Sequence, residues 1–137
     1  MASIRVLVAE DFEPFRRFLC ATIGKRDDLQ IVGEVSDGQE AVHKAEQLKP
    51  DLILLDIGLP TLNGIAAARQ MRKLVPESKI IFVTQESSED VVQEALATGA
   101  LGYVVKTTAN GNLLAAVDAV LEGKQFVSKS TPPQGSI

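Results

Sequence analysis

The sequence predicts an open, doubly wound α/β fold, and two observations lead to that prediction. Along the 137 residues, five short apolar runs alternate with five segments in which apolar residues recur at helical spacing. This alternation predicts a parallel sheet with helices on both faces and right-handed crossovers. A closed barrel of eight such units needs about 250 residues, so the open three-layer sandwich is favoured over the barrel.

The five apolar runs are short, rich in β-branched residues and bounded by polar or turn residues, so each predicts a strand. They are Ile4 to Ala9, Ile31 to Val35, Leu52 to Leu55, Ile80 to Val83 and Tyr103 to Val105. The third run contains no polar residue, as expected of a strand that is covered on both faces. The second run contains Gly33 and Glu34, and this more mixed composition favours a place at the edge of the sheet.

Helix signals fill the intervals between the strands. Pro14 lies in the first turn of the first helix, and the second helix stops before Pro50. The third helix ends near Pro76, and Ser87 or Ser88 can cap the fourth. The apolar positions at helical spacing are Phe15, Phe18, Leu19 and Ile23; Ala41, Ala45 and Leu48; Ile65, Ala68 and Met71; Val91, Val92, Ala95 and Leu96; and Leu113, Leu114, Val117, Val120 and Leu121.

Composition argues against several classes of function. The formal net charge of −4 argues against nucleic-acid binding by this domain, because such binding depends on neutralising phosphates. The chain has one cysteine, which excludes an internal disulfide and fits the reducing cytoplasm in which we expect the protein. With only one histidine beside it, a structural zinc site is not expected. No apolar run could span a bilayer and no signal-peptide layout is found, so we expect no contact with a membrane.

The length and the composition of the last residues predict one domain and a tail. We expect residues 1–126 to form the folded domain. Residues 127–137 contain Ser, Thr, Pro and Gly, the composition of a linker, and we expect this tail to lead to a further domain. A protein without such a domain is the alternative.

Polar side chains follow the predicted strands at the points where they end. Glu10 and Asp11 follow the first strand and Asp56 the third, while Thr84 and Lys106 end the fourth and fifth. Because the carboxyl ends of parallel strands meet at one rim of the sheet, we expect these groups to converge. Three crowded carboxylates repel unless a cation lies among them, and Mg²⁺ takes a few carboxylates with water and phosphoryl oxygens. With an ammonium and a hydroxyl beside them, the set suits a phosphoryl group on a carboxylate.

In this order and spacing, these residues resemble the receiver domain of two-component response regulators over residues 4 to about 128. The match also includes two blocks. They are Asp56-Ile57-Gly58-Leu59-Pro60, followed by Asn63-Gly64, and Gly102-Tyr103-Val104-Val105-Lys106. The resemblance implies a flavodoxin-like (βα)5 fold with the sheet order 2-1-3-4-5.

The resemblance also implies a role for each site residue. Asp56 would be the phosphoacceptor, and a Mg²⁺ ion would be bound directly by Asp11, by Asp56 and by the backbone carbonyl of Gly58. Glu10 would reach the metal through water.

Three further residues would respond to the phosphoryl group. Lys106 would pair with it and Thr84 would bond to it after transfer. Tyr103 would be the aromatic residue whose rotamer follows Thr84.

The function implied is that of a phosphorylation-dependent switch and not of a turnover enzyme. A sensor histidine kinase or phosphotransfer protein would supply the phosphoryl group, and the domain would take part only in its own phosphorylation and dephosphorylation. Thr107-Thr108 and the segment Leu121 to Lys124 are most like receivers joined to a LuxR-type helix-turn-helix. The output would then be transcription, with DNA bound only through a C-terminal domain, and a homodimer could form on phosphorylation.

Three positions depart from the family pattern. Glu10 stands where Asp is usual, and Thr107 stands where many members have Pro. Gln85 stands where a small residue usually follows Thr84. We expect the longer Gln85 side chain to cover the path of water to the phosphorus; the alternative is that it orients an attacking water, as a glutamine does in small GTPases.

Two other classes use part of this pattern. A haloacid-dehalogenase-type phosphatase also has a strand-end Asp nucleophile, but it needs a second Asp two residues on, where this chain has Gly58. A flavodoxin-like electron carrier needs a phosphate loop after the first strand, where Glu10, Asp11 and Glu13 would repel a phosphate. Taken singly, Asp56 could form a turn and Lys106 could be a solvated charge. The prediction rests on their occurring together.

Overall fold

The computed structural model describes residues 3–128 and confirms the predicted α/β class. A short 3-10 turn spans Lys106–Thr108. The other elements in chain order are β1 (Ile4–Ala9), α1 (Glu13–Ile23), β2 (Leu29–Val35), α2 (Gly38–Leu48), β3 (Leu52–Leu55), α3 (Gly64–Leu74), β4 (Lys79–Thr84), α4 (Glu89–Leu96), β5 (Gly102–Val105), α5 (Ala109–Leu121) and β6 (Phe126–Val127).

All neighbouring strands are parallel, in the order β2-β1-β3-β4-β5-β6. The first five strands therefore have the expected 2-1-3-4-5 order. The sixth strand, β6, pairs with the free edge of β5 and was not predicted. Strand β2 also begins at Leu29, two residues before the predicted start at Ile31.

Alternate residues of the central strands face two separate apolar layers, because side chains in a strand point to opposite faces. Leu7, Ile53 and Leu55 pack on one face against α2, α3 and α4. Leu52 and Leu54 pack on the other face against α1 and α5. Every residue of β3 is fully buried, as its unbroken apolar sequence predicts.

Side-chain caps fix where three of the helices begin. Asp37 caps α2, Asn63 caps α3 and Ser88 caps α4, each by accepting a hydrogen bond from a backbone N–H in the first turn. Such a cap contributes about 1 kcal/mol to helix stability. The structure thereby selects Ser88 over Ser87 as the cap of α4.

Glycine at position 64 brings α3 against the end of β3. Its N–H donates to the carbonyl oxygen of Ile57 at 2.8 Å. A Cβ atom at this position would collide with the carbonyl oxygen of Asp56, so only glycine fits. The start of α3 therefore fixes the backbone that carries Asp56.

The folded part reaches past residue 126, since β6 includes Val127 and Ser128 is buried. The division into residues 1–126 and 127–137 stays a prediction, and residues 129–137 of the predicted tail lie outside the described residues. Between residues 3 and 128, no helix combines the length and the apolar character that crossing a membrane requires.

Candidate functional site

Three carboxylates meet at the carboxyl ends of β1 and β3. Ala9 and Leu55 are partners in neighbouring strands, so the residues that follow them, Glu10 and Asp56, lie side by side. Together with Asp11, they offer carboxylate oxygens that all lie within 4.8 Å of one another. Glu10 and Asp56 are buried and Asp11 is exposed. The structure thus brings together the three acidic residues that the sequence placed at this rim.

The ammonium group of Lys106 lies among these carboxylates. Its Nζ atom is 2.9 Å from Oε1 of Glu10 and 3.2 Å from Oδ2 of Asp56. It also lies 4.7 Å from the centre of the Phe15 ring, a cation–π distance. Burial of Lys106 opposes its charge, but the ion pair with Glu10 and the charge of Asp56 outweigh burial and raise its pKa. Lys106 therefore remains a cation at neutral pH.

Glu10 is completely buried beneath the other two acidic residues. Its Oε2 atom accepts a hydrogen bond from the backbone N–H of Phe12 at 3.0 Å. Burial raises the pKa of Glu10, and the negative charge of Asp56 adds to the rise, although the Phe12 N–H and Lys106 oppose it. Within residues 3–128, Oε1 of Glu10 has the ion pair with Lys106 but no hydrogen-bond donor of good geometry.

Asp56 lies at the bottom of a cleft of about 550 Å³. Its Oδ1 atom accepts a 3.3 Å hydrogen bond from the backbone N–H of Gly58, and its Oδ2 atom faces Lys106. Thr84 is buried in the wall and Gln85 is exposed at the rim. The lining residues are Asp11, Phe12, Phe15, Asp56, Ile57, Gly58, Thr84, Gln85, Glu86 and Lys106.

The residues around the cleft fit a hard divalent cation. They offer carboxylate oxygens from Glu10, Asp11 and Asp56 as metal ligands. Among the described residues, no His or Cys side chain joins this group of possible ligands. Mg²⁺ prefers such oxygens and keeps several water ligands, so it needs open space beside them. A Cβ atom at Gly58 would meet nothing within 4 Å, which shows that this side of the cleft is open. Oε1 of Glu10, which has no hydrogen-bond donor of good geometry among the described residues, can accept a hydrogen bond from a metal-bound water.

Tyr103 lies behind the cleft and is fully buried. Its hydroxyl group donates a 2.7 Å hydrogen bond to the carbonyl oxygen of Glu86, in the segment that follows β4. Its ring centre is 6.2 Å from that of Phe82. Tyr103 thus links β5 to the segment that begins with Gln85, directly after Thr84.

Phe15 is a site residue that the sequence does not predict. Its spacing indicates only a place in the core of the first helix, yet it lines the cleft and its ring faces Lys106. The signal that could have found it is its place in the first turn of α1, which begins shortly after the acidic pair at the end of β1.

Residues 6–118 match the model of the response regulator receiver domain family. The chain belongs to the response regulator receiver family. This receiver spans 56% to 61% of the length of the curated relatives that it matches first. One relative is the transcriptional regulatory protein LiaR of Bacillus subtilis, 36% identical over 121 residues, which are 88% of this chain and 57% of LiaR.

Solved structures show the same likeness. A two-component response regulator of the LuxR family from Aurantimonas is 27% identical, with a TM-score of 0.86 over 91% of this receiver and 89% of that chain. A CheX–CheY–BeF3–Mg²⁺ complex from Borrelia burgdorferi contains a chain that is 25% identical, with a TM-score of 0.79 over 87% of this receiver and 90% of that chain. The receiver is most like the LuxR-type subclass, and its family membership decides against the phosphatase and the electron carrier.

Proposed function

We propose that this receiver is a switch operated by phosphorylation of Asp56. The observation that carries the proposal is the placement of the Asp56 carboxylate, which lies in an open cleft 3.2 Å from the Lys106 ammonium and beside two further carboxylates. A nucleophile at the bottom of such a cleft is accessible to a phosphoryl donor. The neighbouring cation can stabilise the charge that develops on the donor's phosphoryl oxygens.

In the proposed reaction, an oxygen of Asp56 attacks the phosphorus of a phosphohistidine on a kinase or phosphotransfer protein. The new bond is O–P, the bond that breaks is N–P, and the imidazole leaves with the electron pair of the broken bond. The Lys106 ammonium would move from the Asp56 carboxylate toward the transferred phosphoryl group, where its charge is then needed. The ion pair with Glu10 would keep the Lys106 ammonium in the cleft beside Asp56.

A Mg²⁺ ion fits the acidic cluster. Asp11, Asp56 and the carbonyl oxygen of Gly58 would hold it directly. Glu10 would act through water, because it is fully buried and both its oxygens already face partners, Oε1 the Lys106 ammonium and Oε2 the Phe12 N–H. When bound, the ion supplies positive charge that neutralises the phosphoryl oxygens. The Borrelia complex, which contains Mg²⁺ and BeF3, supports this choice of ion.

Thr84 and Tyr103 would carry the signal away from the cleft. The Thr84 hydroxyl would bond to the phosphoryl group, which would move the segment after β4. The carbonyl oxygen of Glu86 belongs to that segment and accepts from the Tyr103 hydroxyl, so Tyr103 would respond. Such a response can act as a switch only if the free energies of the unphosphorylated and phosphorylated conformations of the receiver differ by no more than a few kcal/mol.

The receiver would act only on itself, in phosphorylation and later hydrolysis, and not as a turnover enzyme. By its likeness to LiaR, a transcriptional regulatory protein, its output would be transcription. DNA would be bound by a C-terminal helix-turn-helix domain, as the resemblance to LuxR-type receivers implies. The phosphorylated form could associate as a homodimer, and the protein would work in the cytoplasm.

The test is phosphorylation of the full chain by acetyl phosphate with Mg²⁺, followed by intact mass. The wild-type chain should gain one phosphoryl group, and Asp56→Asn should gain none. Asp27→Asn is the matched control, because Asp27 is an exposed carboxylate in the loop before β2, at the opposite end of the sheet. Labelling of Asp56→Asn at the wild-type rate would refute the assignment.

A further inference from the structure

Strand β6 attaches the chain after α5 to the outer edge of β5. Gly102 and Tyr103 are the β5 partners of Phe126 and Val127. The N–H of Ser128, the next residue, donates to the carbonyl oxygen of Tyr103 at 2.8 Å. The hydrogen bonds between β5 and the chain after α5 therefore continue to the end of β5, immediately before Lys106, which lines the cleft.

The Ser128 hydroxyl group completes a closed set of hydrogen bonds at that end. Its Oγ atom accepts from the backbone N–H of Val105 at 3.0 Å and lies 3.1 Å from Oγ1 of Thr108. Oγ1 of Thr108 in turn donates to the carbonyl oxygen of Val105 at 3.0 Å. Because a hydroxyl has one proton, and that of Thr108 goes to Val105, the proton of Ser128 must go to Thr108.

The set thus begins at the N–H of Val105 and ends at the carbonyl oxygen of the same residue. That carbonyl belongs to the peptide plane from which Lys106 departs. Ser128 is buried, so water competes little for these bonds, and bonds in a chain polarise and strengthen one another. The orientation of the peptide plane decides where the long Lys106 side chain starts.

We propose that Ser128 is a positioning residue for phosphoryl transfer, which acts through Val105 and Thr108 to aim Lys106 at Asp56. This inference rests on the proposed function, since it needs Lys106 to meet the phosphoryl group. Ser128 is not among the residues that line the cleft, so its effect reaches the reaction only through the start of the 3-10 turn. The hydroxyl is required because it must accept and donate at once.

Three substitutions separate the hydroxyl from the side-chain volume. Ser128→Ala removes both hydrogen bonds, Ser128→Thr keeps a hydroxyl, and Thr108→Val removes the other hydroxyl at nearly constant shape. Thr107→Ala is the matched control, because Thr107 lies in the same turn and is exposed. The rate of phosphorylation is measured at saturating acetyl phosphate and Mg²⁺, and the Mg²⁺ affinity is measured by calorimetry on the same chains.

We expect Ser128→Ala and Thr108→Val each to slow the maximal rate by about twofold to tenfold, the range of one lost hydrogen bond. The double variant should be little slower than either single one, because both changes break the same set. Ser128→Thr should keep most of the wild-type rate, and Thr107→Ala all of it. The Mg²⁺ affinity should not change, since no residue of the set is an expected metal ligand.

Each other outcome has a definite meaning. If the wild-type chain is not labelled, the proposed function fails and this inference fails with it. If the wild-type chain and Ser128→Ala are labelled at equal rates, only the inference fails. It also fails if Ser128→Thr is as slow as Ser128→Ala, or if the Mg²⁺ affinity falls by the same factor as the rate, because the site as a whole has then loosened.

Discussion

The hydroxyl group of Tyr103 donates to the carbonyl oxygen of Glu86 at 2.7 Å, across the gap between β5 and the segment after β4. The ring is fully buried, so this bond satisfies the one polar atom of an otherwise apolar side chain. Burial raises the pKa of Tyr103 to about 12, with smaller contributions from the negative charges of Glu86 and Asp56. Rotation of the Tyr103 side chain out of the core would break this hydrogen bond.

The ionisation of Tyr103 can be followed directly, because the chain contains one tyrosine and no tryptophan. In the folded chain, the absorbance of the phenolate should appear with a midpoint near pH 12. In urea, the midpoint should return to about 10, the value of a free tyrosine. A midpoint near 10 in the folded chain would mean that the ring is exposed in solution.

The same pKa shift predicts how stability depends on pH. As the pH rises from about 10, the unfolded chain loses its Tyr103 proton before the folded chain does, so the free energy of unfolding falls until about pH 12. Tyr103→Phe should show a smaller fall over this range. Urea unfolding of both chains at several pH values measures the difference, and equal slopes would contradict the prediction.

In the metal-free chain, the Asp11 carboxylate should lower the free energy of unfolding. It lies within 4.8 Å of two other carboxylates, so Asp11→Ala relieves repulsion in the metal-free chain. Because the group is exposed, the gain should be no more than about 1 kcal/mol, while the Mg²⁺ affinity should fall at least about tenfold. Thermal unfolding without metal and calorimetric titration with Mg²⁺ measure the two effects.

Asp27→Ala, a carboxylate removed at the opposite end of the sheet, is the control for Asp11→Ala and should leave the Mg²⁺ affinity unchanged. A large loss of stability in metal-free Asp11→Ala would show that Asp11 is structural. In that case, the proposed metal site would lose one of its direct ligands.

The close contact of Gly64 with Asp56 predicts an unequal pair of glycine substitutions. In Gly64→Ala, the new Cβ would collide with the Asp56 carbonyl oxygen, so the backbone must move at a cost of about 1–3 kcal/mol. Phosphorylation by acetyl phosphate should slow as well, because the shifted backbone carries the nucleophile. In Gly111→Ala, the Cβ meets nothing within 4 Å, and the better helix former should add up to about 1 kcal/mol.

Urea unfolding and labelling rates compare the two glycine variants. The prediction for Gly64 fails if Gly64→Ala is as stable as Gly111→Ala. It fails equally if Gly64→Ala is destabilised but phosphorylated at the wild-type rate.

Periodicity predicted the fold well where many residues repeat one pattern. The five predicted strands and five helices are all present, and β3 is buried on both faces as its sequence requires. Strand β6 could not be found in this way, because Phe126 and Val127 are too short a run to show alternation. They form a strand only because the free edge of β5 lies beside them after α5 ends.

The site, like the fold, has features that the sequence predicts and features that it does not. The parallel sheet brings strand-end residues to one rim, so the meeting of Glu10, Asp11 and Asp56 followed from topology alone. The contact of Phe15 with Lys106 depends on how α1 packs, and sequence spacing does not determine it. The hydrogen bonds of Ser128 depend on the register of β6 against β5, which no repeated sequence pattern encodes.

We predict that Gln85 lengthens the lifetime of the proposed acyl phosphate. It is exposed, follows the buried Thr84 and lines the cleft in which Asp56 lies. An attacking water needs the open space on the side of the phosphorus opposite the Asp56 oxygen. A long side chain at the rim occupies space that such a water would use, and a small residue would leave it free.

We therefore expect the acyl phosphate of Gln85→Ala to hydrolyse about twofold to tenfold faster than that of the wild type, a change of up to about 1.4 kcal/mol in activation free energy. The lifetime is measured at fixed Mg²⁺ and pH after the phosphoryl donor is removed. Gln93→Ala, an exposed glutamine of α4 outside the cleft, is the control and should match the wild type. Slower loss in Gln85→Ala would show that Gln85 orients the attacking water, as a glutamine does in small GTPases. An unchanged lifetime would show that its side chain points into solvent, and either result would refute shielding.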